Sequence, residues 1–166
     1  DNTSVDIVVA AENSKLTFDV QAMHDGEFTA LDGEQYRITV LDAENNEVQP
    51  VDGAYTLKTG KTYTYKVAAK EHIKVEKQFT ANGMDTTEKI QLYLLGDVDM
   101  DGSLTSADSL LLSQALAKII TLTDLQTAIA NVDLSEGEVA LTSADNLLLG
   151  CRLANIITEF ESDWSK

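Results

Sequence analysis

Several kinds of residue are scarce in this chain, and each scarcity excludes a class of protein. Its 166 residues include one cysteine, Cys151, so an intrachain disulfide and a cysteine-ligated zinc site are both excluded. Twelve basic residues stand against 28 acidic ones, a balance that argues against nucleic acid and anionic membranes as partners. No apolar run approaches the roughly 18 residues needed to cross a bilayer. We therefore expect a soluble protein.

Catalytic motifs and a secretion signal are also absent from the sequence. It contains no GxSxG, HExxH or phosphate-binding loop, and no pair of carboxylates stands out as an acid and a base. His24 and His72 lie in unrelated contexts, so we expect both to be solvated. The chain starts DNTSVDIVV, without a basic or an apolar leader, so a signal peptide, if the protein has one, is not in this sequence. We expect no enzymatic activity.

The two halves of the chain differ in residue composition and in the spacing of their apolar residues. Up to residue 95, segments rich in β-branched and aromatic residues alternate with turn-like clusters, which predicts an antiparallel β-sandwich of roughly seven strands. These segments are VDIVVAA, KLTFDVQAM, YRITVLDA, KTYTYKVAA, IKVEKQFTA and KIQLYLL. From Gly96 onward Ala and Leu recur at helical spacing, which predicts three short helices. We therefore expect two domains, an all-β immunoglobulin-like sandwich over residues 1–95 and an all-α domain over residues 96–166.

The second half contains an internal repeat. TSADSLLLSQALAKII, which starts at Thr105, and TSADNLLLGCRLANII, which starts at Thr142, are identical at eleven of sixteen positions. Because the polar TSAD matches as well as the leucines, the similarity indicates a duplication. Two copies are too few for a solenoid, so we expect two related units that face each other about a pseudo-twofold axis.

An acidic loop, GDVDMDGSLTSAD, leads into the first copy. Counted from Asp97 as position 1, oxygen-bearing residues fall at positions 1, 3, 5, 7, 9 and 12, and Gly102 stands at position 6. This is the spacing by which a twelve-residue loop surrounds calcium. Without a cation, each pair of these carboxylates would repel by roughly 1 kcal/mol. The expected ligands are Asp97, Asp99, Asp101, Ser103 through its carbonyl, Thr105 and Asp108. The alternative interpretation is a solvated acidic turn with a helix cap.

The loop of the second copy is less regular. Counting back from Asp145 at position 12 places Leu134 at position 1, where it cannot bind a cation, so we infer an insertion at residues 136–139. The expected ligands are then Asn131, Asp133, Ser135, Ala140 through its carbonyl, Thr142 and Asp145. Because this loop is longer and has fewer carboxylates among its expected ligands, it should bind calcium more weakly.

The element that enters the first loop argues against a calcium switch. A sensor EF-hand needs a helix on each side of its loop, so that binding can change the angle between them. Here KIQLYLL, which reads as a strand, precedes the loop. We therefore expect a structural ion that stabilises the fold.

The stretch GDVDMDGSLTSADSLLL and its duplicated partner resemble dockerins, the calcium-dependent modules that attach secreted enzymes and scaffold proteins to cohesins in cellulosome-like assemblies of polysaccharide-degrading bacteria. The resemblance covers Gly96 to Phe160. It implies two calcium ions, a cohesin partner on a scaffoldin or cell-surface anchoring protein, and a secreted or cell-surface location. The junction LLGDVDMDG looks more like ruminococcal than clostridial dockerins. The β-rich half is similar in placement to the X modules that accompany some dockerins, which implies a stabilising or spacing role.

In dockerins, loop positions 10 and 11 and the outward face of each duplicated helix meet the cohesin. The resemblance implies this role for Ser106, Ala107, Leu110, Gln114 and Lys118 in the first copy, and for Ser143, Ala144, Leu147, Cys151 and Asn155 in the second. Helix geometry alone predicts that each LLL triplet leaves one leucine exposed, because only two can face the core of a small unit. The family often has basic pairs at positions 17 and 18. Here those positions are Ser113-Gln114 and Gly150-Cys151, so we expect a more apolar interface and doubt that both copies bind alike.

A second hypothesis for function is a carbohydrate-binding β-sandwich with a calcium-stabilised appendage. A sugar platform needs two or three exposed aromatic rings. The candidates are Tyr55, Tyr63, Tyr65 and Phe79.

Overall fold

Seven strands precede three helices in the computed structural model, which describes residues 11–135, 141–162 and 164. The strands are β1 (Asn13–His24), β2 (Glu27–Ala30), β3 (Tyr36–Leu41), β4 (Tyr55–Lys58), β5 (Thr62–Ala69), β6 (Val75–Thr80) and β7 (Thr86–Leu92). The helices are α1 (Ser106–Leu116), α2 (Asp124–Ala130) and α3 (Ser143–Leu153). No helix among the described residues is long and apolar enough to span a membrane.

The strands form two sheets. In the first, β1 lies between β2 and β4, pairs antiparallel with both and also pairs with β7. In the second, the order is β3-β5-β6. Phe18 of β1 packs edge-on against Tyr55 of β4 and Tyr65 of β5, with ring centroids 5.8 and 5.1 Å apart. These rings join the two sheets through apolar contact. This is expected of side chains that point inward from a strand whose side chains alternate between its two faces.

The sequence pattern located most of these strands. Five of the predicted segments overlap β1, β3, β5, β6 and β7, whereas most of VDIVVAA lies outside the described residues. The pattern missed β2 and β4, which are four residues long each. Such short strands carry too few residues for alternation to be visible, and their pairing with β1 decides their conformation.

The predicted fold class, two domains of which the second is all-α, is wrong. The structure is mostly β-sheet, and its helices span only 11, 7 and 11 residues. Residue contacts also define two compact units that alternate along the chain. One unit comprises the described residues up to Asp19 with Thr39–Lys66 and Glu76–Glu88, and the other comprises Val20–Ile38, Val67–Val75 and the described residues from Lys89 onward.

The reason for the error is physical. Helical spacing of Ala and Leu predicts helices, but it does not show which strand residues pack with them. Here the unit that contains all three helices also contains parts of β1, β3 and β5. The division at residue 95 as a boundary between functional modules stays a prediction.

The helical repeat has its own apolar core and two matching helix starts. Thr105 and Thr142 cap α1 and α3 with φ of −134° and −133° and a capping box in both cases. Ser109 Oγ donates to Asn146 Oδ1 at 3.0 Å, and these two residues occupy the same position of the repeat. A contact between equivalent positions is what a pseudo-twofold relation produces. The core between the copies consists of Leu95, Val98, Leu112, Ala130, Val132, Leu149 and Phe160.

Candidate metal centre

The acidic loop brings three carboxylates together at one point. Oxygen atoms of Asp97, Asp99 and Asp108 all lie within 4.8 Å of one another. Asp97 and Asp108 are 0% exposed, whereas Asp99 is exposed. Buried negative charge is costly unless it is paired or coordinates a metal. The donor set of hard oxygens therefore fits calcium, which it would bind through these three side chains.

Backbone amides shape the loop around Asp97. Its carboxylate accepts hydrogen bonds from the Asp101 N–H at 3.1 Å and from the Gly102 N–H at 2.8 Å. Met100 and Gly102 have φ of +60° and +90°, the left-handed conformations that turn the chain back on itself. The loop is thus closed tightly around the carboxylate at position 1.

Asp108 connects the loop to α1. One carboxylate oxygen accepts from the Thr105 N–H at 2.8 Å, and the other accepts from the Asp99 N–H at 3.2 Å. Thr105 is the N-cap of α1 and accepts from the Ala107 N–H at 3.1 Å. The start of the helix therefore positions the carboxylate at position 12 beside the other two.

The remaining residues expected in the first loop are placed differently. The Asp101 carboxylate is exposed and accepts from the Ser103 N–H at 2.8 Å, so it is not one of the three that converge. The Thr105 hydroxyl serves the helix cap. The roles of Asp101, Ser103 and Thr105 as ligands stay predictions.

Burial changes the acidity of the cluster in the ion-free protein. The pKa of Asp97 is raised from 3.8 to about 6, mainly by burial, which the Gly102 N–H opposes and the neighbouring Asp108 charge supports. The pKa of Asp108 is raised too, mainly by burial. Both shifts show that negative charge is unfavourable here without a cation.

We expect the ion-free protein to lose stability as Asp97 ionises. The folded state binds this proton more tightly than the unfolded state, because the folded pKa is about 6 and the unfolded value is 3.8. The stability that the proton contributes is therefore complete below 3.8 and lost as the pH rises through about 6. The measurement is the thermal midpoint in chelator across this window, for the unaltered chain and for Asp97→Asn. A difference between the two midpoints that does not change with pH would contradict the assignment.

The second loop repeats the hydrogen bonds of the first in the predicted register. The Ser135 N–H donates to the side chains of Asn131 at 3.2 Å and Asp133 at 2.9 Å, as the position 5 amide of the first loop does to positions 1 and 3. Asp145 is fully buried and accepts from the Asp133 and Thr142 amides at 3.2 and 2.8 Å. Both distances equal those of the first loop. The duplication thus extends into the loops.

The second loop has fewer carboxylates than the first at the expected ligand positions. At those positions only Asp133 and Asp145 are carboxylates, because positions 1 and 5 are the neutral Asn131 and Ser135. Hydrogen bonds from Ser135, first from its side chain, lower the pKa of Asp133. Ala140, the expected carbonyl ligand, lies outside the described residues. A second and weaker calcium site stays a prediction.

The surface expected to bind a partner is largely exposed. Leu110 and Leu147 are 58% and 68% exposed, while Leu112 and Leu149 are fully buried, so the prediction that each triplet leaves one leucine exposed is confirmed. Gln114 and Cys151 are half-buried, and the other candidates are exposed: Ser106, Ala107, Lys118, Ser143, Ala144 and Asn155. Their role in binding stays a prediction.

The sequence interpretation missed a second duplicated pair of exposed apolar residues. Ile119 and Ile156 are 72% and 73% exposed and occupy the same position of the repeat, just after α1 and α3. The signal was the shared dipeptide II at the end of both copies. Exposed isoleucine at both equivalent positions extends the apolar surface beyond the helices.

The sugar platform expected under the second hypothesis is not formed. Tyr55, Tyr63 and Tyr65 are 5%, 8% and 1% exposed, and only Phe79 is half-buried. These three tyrosines are buried, so the faces of their rings are not open to stack on a sugar ring. That interpretation of the aromatic residues is wrong.

Comparisons with known proteins give only distant similarities. No family model matches the chain. No curated protein matches it either. Similar solved structures include the N-terminal and the C-terminal interface mutants of a type II cohesin-X-dockerin complex from Acetivibrio cellulolyticus. Each similarity covers 82% of this chain and 93% of the other, at 14% and 12% identity and TM-scores of 0.30 and 0.29. At these values the similarity establishes neither the fold nor the function of this chain.

Proposed function

We propose that this chain is a non-catalytic interaction module that binds a cohesin when calcium fills its acidic loops. In this proposal it anchors its parent protein to a cellulosome-like assembly outside a bacterial cell or on its surface. The β-rich half stabilises or spaces the binding part. The observation that carries the proposal is the convergence of Asp97, Asp99 and Asp108 in a loop whose hydrogen bonds recur in a second copy.

Calcium supports this role by making the loops rigid. Bound calcium supplies the positive charge that the buried carboxylates lack. Asp108 and Asp145 then connect each loop to the N-terminus of a helix, because each carboxylate accepts a hydrogen bond from the N–H of the helix N-cap residue. A loop that is held in one conformation fixes the orientation of α1 and α3, and thereby the exposed leucines that those helices carry.

The two exposed leucines offer a matched surface to a partner. Leu110 and Leu147 lie at equivalent positions of α1 and α3, and both are more than half exposed. Large apolar side chains in the centre of an interface contribute more to affinity than polar side chains at its rim. A cohesin that uses either copy would therefore bury one of these leucines.

The test is a calorimetric titration against a panel of cohesins, with the unaltered chain and with Leu110→Ala, Leu147→Ala and the double variant. We expect binding in calcium that is lost in chelator, and at least about a tenfold loss of affinity in the double variant. The single variants report which copy binds. Val51→Ala is the control, because Val51 is 69% exposed and lies outside the repeat.

Uniform failure with every cohesin would overturn the cohesin proposal. Equal affinity of the double variant and the unaltered chain would instead show that the leucines are outside the interface.

A further inference from the structure

The turn between β1 and β2 lies directly against the first acidic loop. His24 pairs with Glu27, so the turn consists of two residues, Asp25 and Gly26. Both have left-handed backbones, with φ of +48° and +79°. This is the tight hairpin turn that the dipeptide Asp-Gly favours. The chain therefore reverses direction within two residues at the tip of the hairpin.

Two backbone contacts join this turn to the loop. The Gly26 N–H donates to the Asp101 carbonyl at 2.6 Å. At Gly102 a Cβ would lie 2.7 Å from the His24 Cα and 2.8 Å from the Asp25 nitrogen. These are main-chain atoms and cannot rotate away, so only glycine fits at this contact.

The two loop residues that contact the turn, Asp101 and Gly102, are also the two that bind the Asp97 carboxylate through hydrogen bonds. The amides of Asp101 and Gly102 both donate to the Asp97 carboxylate, at 3.1 and 2.8 Å. The contacts with Gly26 and His24 therefore constrain the two residues that orient the fully buried Asp97 carboxylate.

In the second loop the position 5 carbonyl is bonded by a side chain of the same loop. The Ser135 carbonyl, at position 5, accepts a hydrogen bond from the Asn131 side-chain amide at 2.9 Å. In the first loop position 1 is Asp97, whose side chain has no N–H to donate, and the Gly26 N–H donates to the position 5 carbonyl instead. Because the Gly26 N–H of the β1–β2 turn bonds the position 5 carbonyl of the first loop, position 1 of that loop is free to be a carboxylate. In the second loop position 1 is an amide, which makes this hydrogen bond itself.

We propose that the β1–β2 turn is a positioning element of the first calcium loop, and that calcium binding and the conformation of this turn are coupled. The proposal rests on the proposed calcium function. It assigns Gly26 and Gly102 to positioning, and it explains how the first loop carries a carboxylate at position 1, where the second loop has the amide of Asn131.

The first test needs no substitution. Coupling is reciprocal, so if the conformation of the turn favours calcium binding, bound calcium must also stabilise that conformation. We expect amide hydrogen exchange at Gly26 to slow by about tenfold or more on addition of calcium to the full chain. Exchange at Gly26 that is the same with and without calcium would overturn the proposal.

The second test compares variants of the full chain. One lengthens the hairpin by two glycines between Asp25 and Gly26 and leaves residues 97–108 unchanged, and the other is Gly102→Ala. Gly60→Ala is the control, because Gly60 also has a left-handed backbone, with φ of +80°, but has open space around its Cβ position. Calcium titration should show about a tenfold weaker first site in both variants, with the second site and the control unchanged.

The outcomes separate the two proposals. If the unaltered chain takes up no calcium, the proposed function and this inference both fail. If it takes up calcium and the lengthened hairpin binds with the same affinity, only the positioning role of the turn is overturned.

Discussion

Removal of calcium should lower the thermal midpoint of the chain and reduce its helicity. An ion that binds only the folded state adds about 2.7 kcal/mol of stability when its concentration is a hundredfold above Kd. For a chain of this size that corresponds to a shift of roughly 5–10 °C. The effect has a local origin, because the buried Asp97 and Asp108 carboxylates lie beside each other and α1 begins at the cap that Asp108 completes. Circular dichroism melting in calcium and in excess EDTA measures both quantities.

Asp97→Asn is the matched variant for this prediction. It keeps the size of the side chain and removes one of two buried charges. At neutral pH, above the Asp97 pKa of about 6, the variant should melt at a higher temperature than the unaltered chain in EDTA, and its midpoint should respond less to calcium. An unaltered chain whose midpoint and helicity are the same in calcium and in EDTA would rule out the metal centre.

Loss of the Glu71 carboxylate should destabilise the unit that contains the helices. Glu71 accepts from Arg152 Nε at 3.0 Å and from the Phe160 N–H at 3.1 Å, and a second guanidinium nitrogen lies 3.4 Å from its other oxygen. The side chains of Glu71 and Arg152 are only 15% and 25% exposed. Glu71→Ala would therefore leave a largely buried guanidinium and a backbone amide without their acceptor.

The expected loss is about 2–3 kcal/mol, less than the 3–5 kcal/mol of a fully buried pair because Arg152 retains some contact with water. Chemical denaturation of the calcium-saturated chain measures it. The neighbouring ion pair, Lys70 with Glu159, supplies the control, since both of its side chains are more than half exposed. Lys70→Ala should change the stability little. Equal losses in the two variants would show that Glu71 acts only as a surface charge.

The acidic loops illustrate what could be read from residue order. The spacing of Asp97, Asp99 and Asp108 follows a twelve-residue pattern, and the register of the second loop followed from the same pattern with an insertion at residues 136–139. The structure reproduces that register in the hydrogen bonds that the Ser135 N–H donates to Asn131 and Asp133. These features are predictable because each hydrogen bond joins residues within one loop, where the position in the chain determines which atoms can meet.

The fold class shows where such reasoning fails. The change in composition at Gly96 marks the start of the helical part, but it does not mark the limit of the compact unit, which also takes in Val20–Ile38 and Val67–Val75. No periodicity in those segments distinguishes residues that pack within the sheets from residues that pack with the helices.

By itself the sequence determined the duplication and the identity of the carboxylates, since both depend on residues close together in the chain. Only the tertiary structure decided that the turn at Gly26 supports the calcium loop and that Glu71 pairs with Arg152, 81 residues away. Contacts over such separations depend on how the strands bring distant backbone together. A single turn glycine or glutamate carries no local signal of the partner that it will meet.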